Sequence, residues 1–580
     1  MITVENGKIV IDHEDALQIG NGTPFKALFP FARWRKDKWE IMATFQNVEV
    51  INRYTEENLS IEVEHETTDD DLRTFLESNQ YHFKREPYRH QIEALAKGAH
   101  QEYFAYFLEP GLGKTKILVD NVGILYQKQG VDTVLVLCPK SVMYAWVDEI
   151  KANMDDVSVG VWPDSPPNGY GKIRWYIMNP DALVARDVAL RTLQKKMEQT
   201  TNREEYEVLM KKIKTRQQNM EDGYSVARLF LYSSFHSMMV IDESTCISHI
   251  DSLRTKVCEE LGKEAEYRRI LTGDPIANTP IDLYSQLNWL SPDCVMYRNY
   301  YAFRNHFCDM GGFKNKQIIG YKNMSELRHM VNKYGYRART KDVMDMPPQN
   351  WIVRTVTPSA HTMEIYDQIV NDDILLLFEH HAKVSTSMIL TKMTKLQQVC
   401  GGTLLDDEGV PHIVGNEKLT EVKAMLEEWH MSGILIWYHY RAEGHMLQEE
   451  LQKKYKVRNY NGDLSAKERA DTVNEFEAGH IDILLVQDDA GHLGITLNNA
   501  NYAIFYSNHQ RPIVRNQSER RNWRIGQKSP VFYYDILFKG MNDSWLYRKL
   551  KERREFNATI TDRSHWSKQE VMEAIYDTVL

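Results

Sequence analysis

Residues Leu108 to Thr115 read LEPGLGKT, and residues Val240 to Glu243 read VIDE. The first string suits a loop that holds phosphate. Backbone N–H groups can close around an anion only where no Cβ intrudes, and Gly111 and Gly113 meet that need. Leu112 lies between them, Lys114 supplies a cation for the β and γ phosphates, and Thr115 offers a hydroxyl to Mg²⁺. The second string is an apolar run ending in two carboxylates. Asp242 suits a second contact to the metal, and Glu243 can orient and deprotonate a water. Taken singly, the strings also fit a surface turn before a helix and an acidic helix cap after a buried strand. Together they point to ATP hydrolysis with Mg²⁺. Leu108 stands where the full phosphate-loop pattern has its first glycine.

Such a site has to be held by strands and helices. Lys116 to Val119 reads as the start of a helix, which would set the phosphates at a helix N-terminus. Thr133–Leu137, Met238–Ile241, Ile434–Trp437 and Ile481–Val486 are short, continuous apolar runs. They read as buried strands of parallel sheets, with helices between them. At 580 residues the chain exceeds one core, so three or four units are expected. Hydrophobic residues at 42% and charged residues at 26% are ordinary for a globular protein. The net charge of −10 argues weakly against nucleic acid, although a local basic groove would suffice. Six cysteines without a CxxC pair imply a reduced, cytoplasmic setting without structural zinc. The opening MITVENGKIVIDHED is acidic and lacks the apolar core of a signal peptide. No apolar run approaches membrane-spanning length.

The expected organisation is an N-terminal accessory domain at 1–78, a first lobe at 79–345, a second at 346–555 and a tail at 556–580. Short apolar runs such as Lys8–Ile11 and Val48–Ile51 suit a small module, and the acids from Glu62 to Asp71 suit a linker. Residues 187–222, rich in Lys, Arg, Glu and Gln with apolar residues at helical spacing, read as a projecting helical hairpin. That hairpin is either a solvated face or a contact through Lys211, Lys212, Lys214 and Arg216.

Further strings follow in order: YRHQIEAL at 88–95, LVLCPKSVMYAWVDEI at 135–150, LTGDPIANTPIDLYSQL at 271–287, ILIWYHY at 434–440, YNGDLSAKER at 460–469, DAGHLGITL at 489–497 and QSERRNWRIGQ at 517–527. In wording and order the series resembles the Swi/Snf branch of the superfamily-two helicases, from about residue 83 to 550.

That resemblance implies an α/β fold with two RecA-like parallel-sheet lobes, helical protrusions near Met324–Tyr334 and Asn371–Lys383, and a small N-terminal α+β domain. It implies one ATP shared by both lobes. Arg521 and Arg524 match the family's arginine-finger positions; three apart, they are expected on one helix face. Gln91 matches the adenine-reading glutamine, whose amide can pair with a base edge. Pro139–Trp146, Leu271–Asn278 and Gly491–Leu497 match the DNA track, with Lys140, Ser141 and Thr496 as phosphate contacts. Local capping and turn chemistry is the alternative for those three. Trp146 reads as core or as a stacking platform.

Three stretches depart from the family pattern: Asp274 in the TGTP-like turn, Gln487, Asp488 and Asp489 before Ala490, and Ser248 with His249 after the carboxylates. They bear on coupling more than on nucleotide contact. The string FPFARWRKDKW at 29–39 is similar to modules that precede annealing-helicase relatives. It suits either a DNA grip through Arg33, Trp34 and Trp39 or a β-hairpin whose tryptophans merely pack. The activity implied is a DNA translocase and ATPase acting on duplex or branched DNA, by annealing, branch migration or protein displacement. The alternatives are an RNA-directed helicase and an ATP-gated DNA-binding scaffold that does not translocate. Compact size without chromatin-reading modules suggests a bacterial or viral origin.

Overall fold

The computed structural model describes residues 68–169, 172–184, 207–210 and 222–561, apart from 277–278, 296, 298, 312–316, 381–385, 407, 430–431 and 492–494. N-terminal to these it describes 2–5, 8–19, 25, 33–35, 38–42 and 51. Lys211, Lys212, Lys214, Arg216, most of the expected hairpin at 187–222 and the run before Ile51 lie outside the described residues. The chain divides into two compact units, one headed by Met1–Arg339 and the other formed by Thr340–Phe556.

The N-terminal strands β1 (Ile2–Glu5), β2 (Lys8–Asp12), β3 (Arg33–Arg35) and β4 (Lys38–Met42) make an antiparallel sheet in the order β1-β2-β4-β3. Helix His13–Gln18 accompanies it. Alternating apolar residues put Ile9, Ile11 and Ile41 on one face, where they are buried with Ile2, Ala16 and Ile19. The string around Trp34 and Trp39 is a hairpin in which the two indoles face each other across the strands, with ring centroids 5.1 Å apart. Trp39 packs on Phe25, whereas Trp34 remains 44% exposed. The acids at Asp69–Asp71 form no linker. They are the first turn of helix Asp69–Asn79, where Thr68 and Asp71 cap each other reciprocally.

The first unit's main sheet comprises β5 (Tyr103–Leu108), β6 (Thr133–Leu137), β7 (Val157–Val161), β8 (Ile173–Met178), β9 (Ser237–Asp242) and β10 (Tyr267–Leu271). A hairpin of β11 (Cys308–Gly311) and β12 (Gln317–Tyr321) precedes its last strand, β13 (Gly335–Ala338). The order is β13-β5-β10-β9-β6-β8-β7, and every pairing is parallel. Strands β6 and β9 are buried along their whole length, as expected when helices cover both faces. Helix Met324–Lys333 buries Met324, Leu327, Met330 and Val331 and leads directly into β13.

The second unit's sheet has β14 (Gln349–Val356), then, after a small hairpin of β15 (Thr403–Leu405) and β16 (Pro411–Ile413), β17 (Ile434–Tyr438), β18 (Val457–Tyr460), β19 (Ile483–Gln487), β20 (Tyr502–Phe505) and β21 (Val531–Phe538). Its order is β14-β21-β20-β17-β19-β18, again all parallel. Successive residues of β17 serve opposite faces. Ile434 and Ile436 join one core with Leu447 and Ile504, and Leu435 and Trp437 join the other with Phe476 and Val531. Helix Ala360–His380 contains most of the second expected protrusion, whose last residues lie outside the described ones. The expected α/β architecture of two parallel-sheet lobes is the one observed.

Candidate nucleotide and nucleic-acid site

The phosphate-type loop joins β5 to the helix Lys114–Gln129. Gly111 has φ 93° and Gly113 φ 79°, left-handed values that glycine adopts without strain. A Cβ on Gly113 would also lie 2.3 Å from Gln91 Nε2. The loop is braced from behind. Leu112 is buried, and its carbonyl accepts from Gln91 Nε2 at 3.2 Å and lies 3.0 Å from His90 Nε2. Gln91 Oε1 in turn accepts from the Tyr88 amide at 3.0 Å. The glutamine expected to read adenine is thus a buried strut of the loop. Lys114 Nζ donates to the Leu108 carbonyl at 2.9 Å.

Asp242 and Glu243 lie at the carboxyl end of β9, the same edge of the same sheet, with β10 between β9 and β5. Asp242 is buried and accepts from the Trp146 indole at 3.0 Å. Its Oδ1 accepts from the Glu243 amide, also at 3.0 Å. Burial raises the Asp242 carboxyl above the usual range, while the Lys114 ammonium, the indole and the amide oppose that rise. Trp146 is therefore a core residue with a polar duty, since a hydrogen bond to a charged group contributes about 1.5–3 kcal/mol.

Glu243 sits at φ 50°, ψ 59°, a left-handed conformation that costs a residue with a Cβ roughly 1–2 kcal/mol. Its side chain accepts from Thr272 Oγ1 at 3.3 Å. Thr272 also caps the turn that carries Asp274, accepting from its amide at 3.3 Å. Gln286, fully buried, donates to Pro275 O at 2.6 Å and accepts from Ser244 Oγ at 2.6 Å. The carboxylate strand and the TGDP turn are thus joined twice. The glycine cradle and the all-oxygen set of Thr115 hydroxyl and Asp242 carboxylate fit a magnesium nucleotide. Lys140 and Ser141 are exposed in a short 3₁₀ turn after β6.

In the second unit, Arg521 and Arg524 do not share a helix. The helix Pro512–Glu519 ends before them, where the Arg521 amide turns to Ser518 O and the Arg521 side chain takes the Gln517 carbonyl. Tyr533 Oη donates to Glu519 O at 2.7 Å, and the Leu497 amide donates to Arg521 O at 2.8 Å. The two side chains nevertheless converge. Nη1 of each donates to the Ile495 carbonyl at 3.2 Å, and Arg524 Nη1 also reaches Thr496 Oγ1 at 2.8 Å. Arg521 is buried, with Nε donating to Gln517 O at 3.0 Å. Thr496 is exposed; His492, Leu493 and Gly494 lie outside the described residues. Gln527, at the end of the run, pins the segment by donating to Asn498 O at 3.0 Å and Ala500 O at 3.3 Å.

The residues expected at the nucleotide, Gln91, Gly111, Leu112, Gly113, Lys114, Thr115, Asp242 and Glu243, lie in the first unit. Arg521, Arg524 and Thr496 lie in the second. Spacing alone did not disclose the roles of Trp146, Thr272 and Gln286. All three lie inside recognised strings, but each acts through a partner that is remote in sequence or on another element.

The description "SNF2-related domain" matches residues 106–403, and "Helicase conserved C-terminal domain" matches 417–526. The chain is 23% identical over 499 residues to the DNA excision repair protein ERCC-6 of Mus musculus, covering 78% of this chain and 31% of that protein. It is 25% identical over 502 residues to the DNA repair and recombination protein RAD26 of Saccharomyces cerevisiae, covering 78% of this chain and 44% of that one. The chain therefore spans less than half the length of these curated relatives. Among solved structures it is similar to the Sulfolobus solfataricus SWI2/SNF2 ATPase core in complex with dsDNA. That match has 19% identity and a TM-score of 0.34, covering 85% of this chain and 98% of the other. No helix among the described residues is long and apolar enough to cross a membrane.

Proposed function

This chain belongs to the SNF2-related family, and from that premise we propose that it is a DNA-stimulated ATP hydrolase that moves along duplex or branched DNA. The observation that carries the reading is the pairing, at one sheet edge, of a left-handed glycine loop with the buried Asp242 and the adjacent Glu243. Lys114 holds the β and γ phosphates, and the loop amides from Gly111 to Thr115 surround them. Thr115, and Asp242 through water, would hold a magnesium ion, which would supply positive charge to the phosphate oxygens. Glu243 orients and deprotonates the attacking water. Gln91 braces the loop and reads the adenine edge with the hydrogen-bonding capacity left on its amide.

Arg524, assisted by Arg521, offsets the charge that develops on the transferred phosphoryl group. Lys140, Ser141 and Thr496 grip the DNA backbone without reading sequence. Alternate grip and release driven by the nucleotide cycle produces stepping. The relatives named for DNA repair support DNA as the track, and the RNA-directed alternative has no such support. Six unbridged cysteines suit a reducing cytoplasm.

The test is ATPase rate with duplex, single-stranded and forked DNA and with RNA, joined to triplex displacement on duplex DNA. Stimulation by duplex or forked DNA with ATP-dependent displacement is expected. Stimulation by RNA alone would overturn the assignment of the track, and DNA-stimulated turnover without displacement would leave a non-translocating scaffold.

A further inference from the structure

The carboxyl ends of three neighbouring strands in the second sheet meet at a cluster outside the proposed ATP chemistry. His439 follows β17, Asp488 and Asp489 follow β19, and His509 lies shortly beyond β20; the strands are adjacent in the order β20-β17-β19. Ligands of open parallel sheets bind outside this edge. One donor atom each from His439, Asp489 and His509 lies within 4.8 Å of the other two. His509 Nε2 and Asp489 Oδ1 are 3.6 Å apart. That is near the ~3.3 Å edge of a tetrahedron built on zinc–ligand bonds of about 2.0–2.1 Å.

Two further contacts point to a cation. His439 Nδ1 lies 3.0 Å from each carboxylate oxygen of Asp488. Donation to Asp488 puts the ring proton on Nδ1 and leaves Nε2 with a lone pair, the state carboxylates impose on metal-bound histidines. Positive charge is already drawn to the same place. Arg511 Nη2 stands 3.4 Å from Asp489 Oδ1 and 3.4 Å from His509 Nε2. The Arg511 side chain is 54% exposed, so it can leave for solvent. The Arg511 amide also donates to His509 Nδ1 at 2.9 Å. A metal on Nε2 needs the proton on Nδ1, so binding gives up that hydrogen bond.

We propose that His439, Asp489 and His509 form a site for a divalent transition ion of the zinc class, with Asp488 orienting His439 and Arg511 competing for the place. Two imidazoles and one carboxylate suit Zn²⁺ or Co²⁺; Mg²⁺ takes oxygen ligands and is not expected there. The ion would tie together the segments that follow β17, β19 and β20.

The full chain, stripped of metal, is titrated with ZnCl₂ alone by calorimetry and with CoCl₂ by visible absorption. One equivalent and a cobalt d–d band are expected. Asp489→Asn and His509→Ala should weaken binding at least tenfold, and Asp488→Asn by about 10–100-fold, as for other partners of metal-bound histidines. Arg511→Gln should tighten it. His480→Ala, at an exposed histidine elsewhere, should change nothing. Circular dichroism identifies any variant that has lost its fold, and the exposed Arg511→Gln change then decides. No binding by the wild-type chain, or equal binding in His509→Ala, Asp489→Asn and Arg511→Gln, overturns the proposal.

Discussion

Arg524 Nη1 donates to the hydroxyl of Thr496 at 2.8 Å, so the arginine proposed to meet the nucleotide and the threonine proposed to meet DNA form one hydrogen-bonded unit. Both also attach to a single residue, Ile495, whose carbonyl accepts from Arg521 and Arg524. Movement of either residue is felt by the other. Thr496→Val keeps the shape and removes the hydroxyl. It should lower DNA-stimulated turnover about tenfold, the equivalent of about 1.4 kcal/mol, and leave the unstimulated rate nearly unchanged. Arg524→Ala should lower both rates while nucleotide binding persists. ATPase titrations with duplex DNA, beside binding of a fluorescent nucleotide, separate the two. Equal loss of both rates in Thr496→Val would show that the hydroxyl only holds Arg524 and carries no DNA response.

Lys114→Ala and Glu243→Gln should each abolish hydrolysis, by different routes. The first removes the phosphate cation and with it tight nucleotide binding. The second keeps ATP and loses the base. Filter binding of labelled ATP distinguishes them, and wild-type turnover in either variant would remove these residues from the chemistry.

Trp146→Phe preserves most of the buried volume and deletes the indole N–H that Asp242 accepts at 3.0 Å. A carboxylate deprived of that donor is less well fixed for the metal. The Mg²⁺ concentration for half-maximal ATPase should rise about 10-fold or more, in line with 1.5–3 kcal/mol for a hydrogen bond to a charged group. An unchanged Mg²⁺ requirement would reduce Trp146 to packing.

Gly113→Ala meets two obstacles, a φ of 79° and a Cβ position 2.3 Å from Gln91 Nε2. The left-handed backbone alone costs about 1–2 kcal/mol, and Gln91 must also shift. Nucleotide affinity should fall more than tenfold, and the melting temperature by only a few degrees, since the backbone cost falls on the folded state. A large drop in that temperature with normal affinity would show that the loop carries stability and not binding.

Asp120, one turn beyond the loop, is buried and paired with Lys116 at 2.6 Å. Burial raises its carboxyl to about 6 despite that partner. The unfolded chain releases this proton near pH 4 and the folded chain near pH 6. Between those values the folded state binds more protons, so this group lowers stability as pH rises and levels off above about 6. Asp120→Asn lacks the decline. Relative to wild type, its stability should improve by up to about 3 kcal/mol from pH 4 to pH 7, given about 1.4 kcal/mol per pKa unit. Denaturant melts across that range test it; a constant difference would show that Asp120 does not titrate there.

The fold was legible because parallel sheets covered by helices bury both faces of their central strands. TVLVL at 133–137 and ILIWY at 434–438 are strands in sequence and in structure. The glycine loop was equally legible, since Gly111 and Gly113 occupy backbone angles that other residues avoid. The acids at Asp69–Asp71 misled because a linker and a helix N-terminus favour the same residues, and only the reciprocal bond with Thr68 separates the two.

Local pattern thus pointed to residues whose types suit phosphate, metal and proton chemistry, and to the segments that are strand. Tertiary contact alone decided how those residues are held. The helix expected through Arg524 stops at Glu519, where the Arg521 side chain takes Gln517 O and Tyr533 takes Glu519 O. Gln91 became a strut under Leu112, Trp146 a donor to Asp242, and His439, Asp489 and His509 neighbours. Residue type and spacing encode what a side chain can do. Hydrogen bonds between residues tens of positions apart depend on how the strands are ordered across the sheet, which no local window of sequence contains.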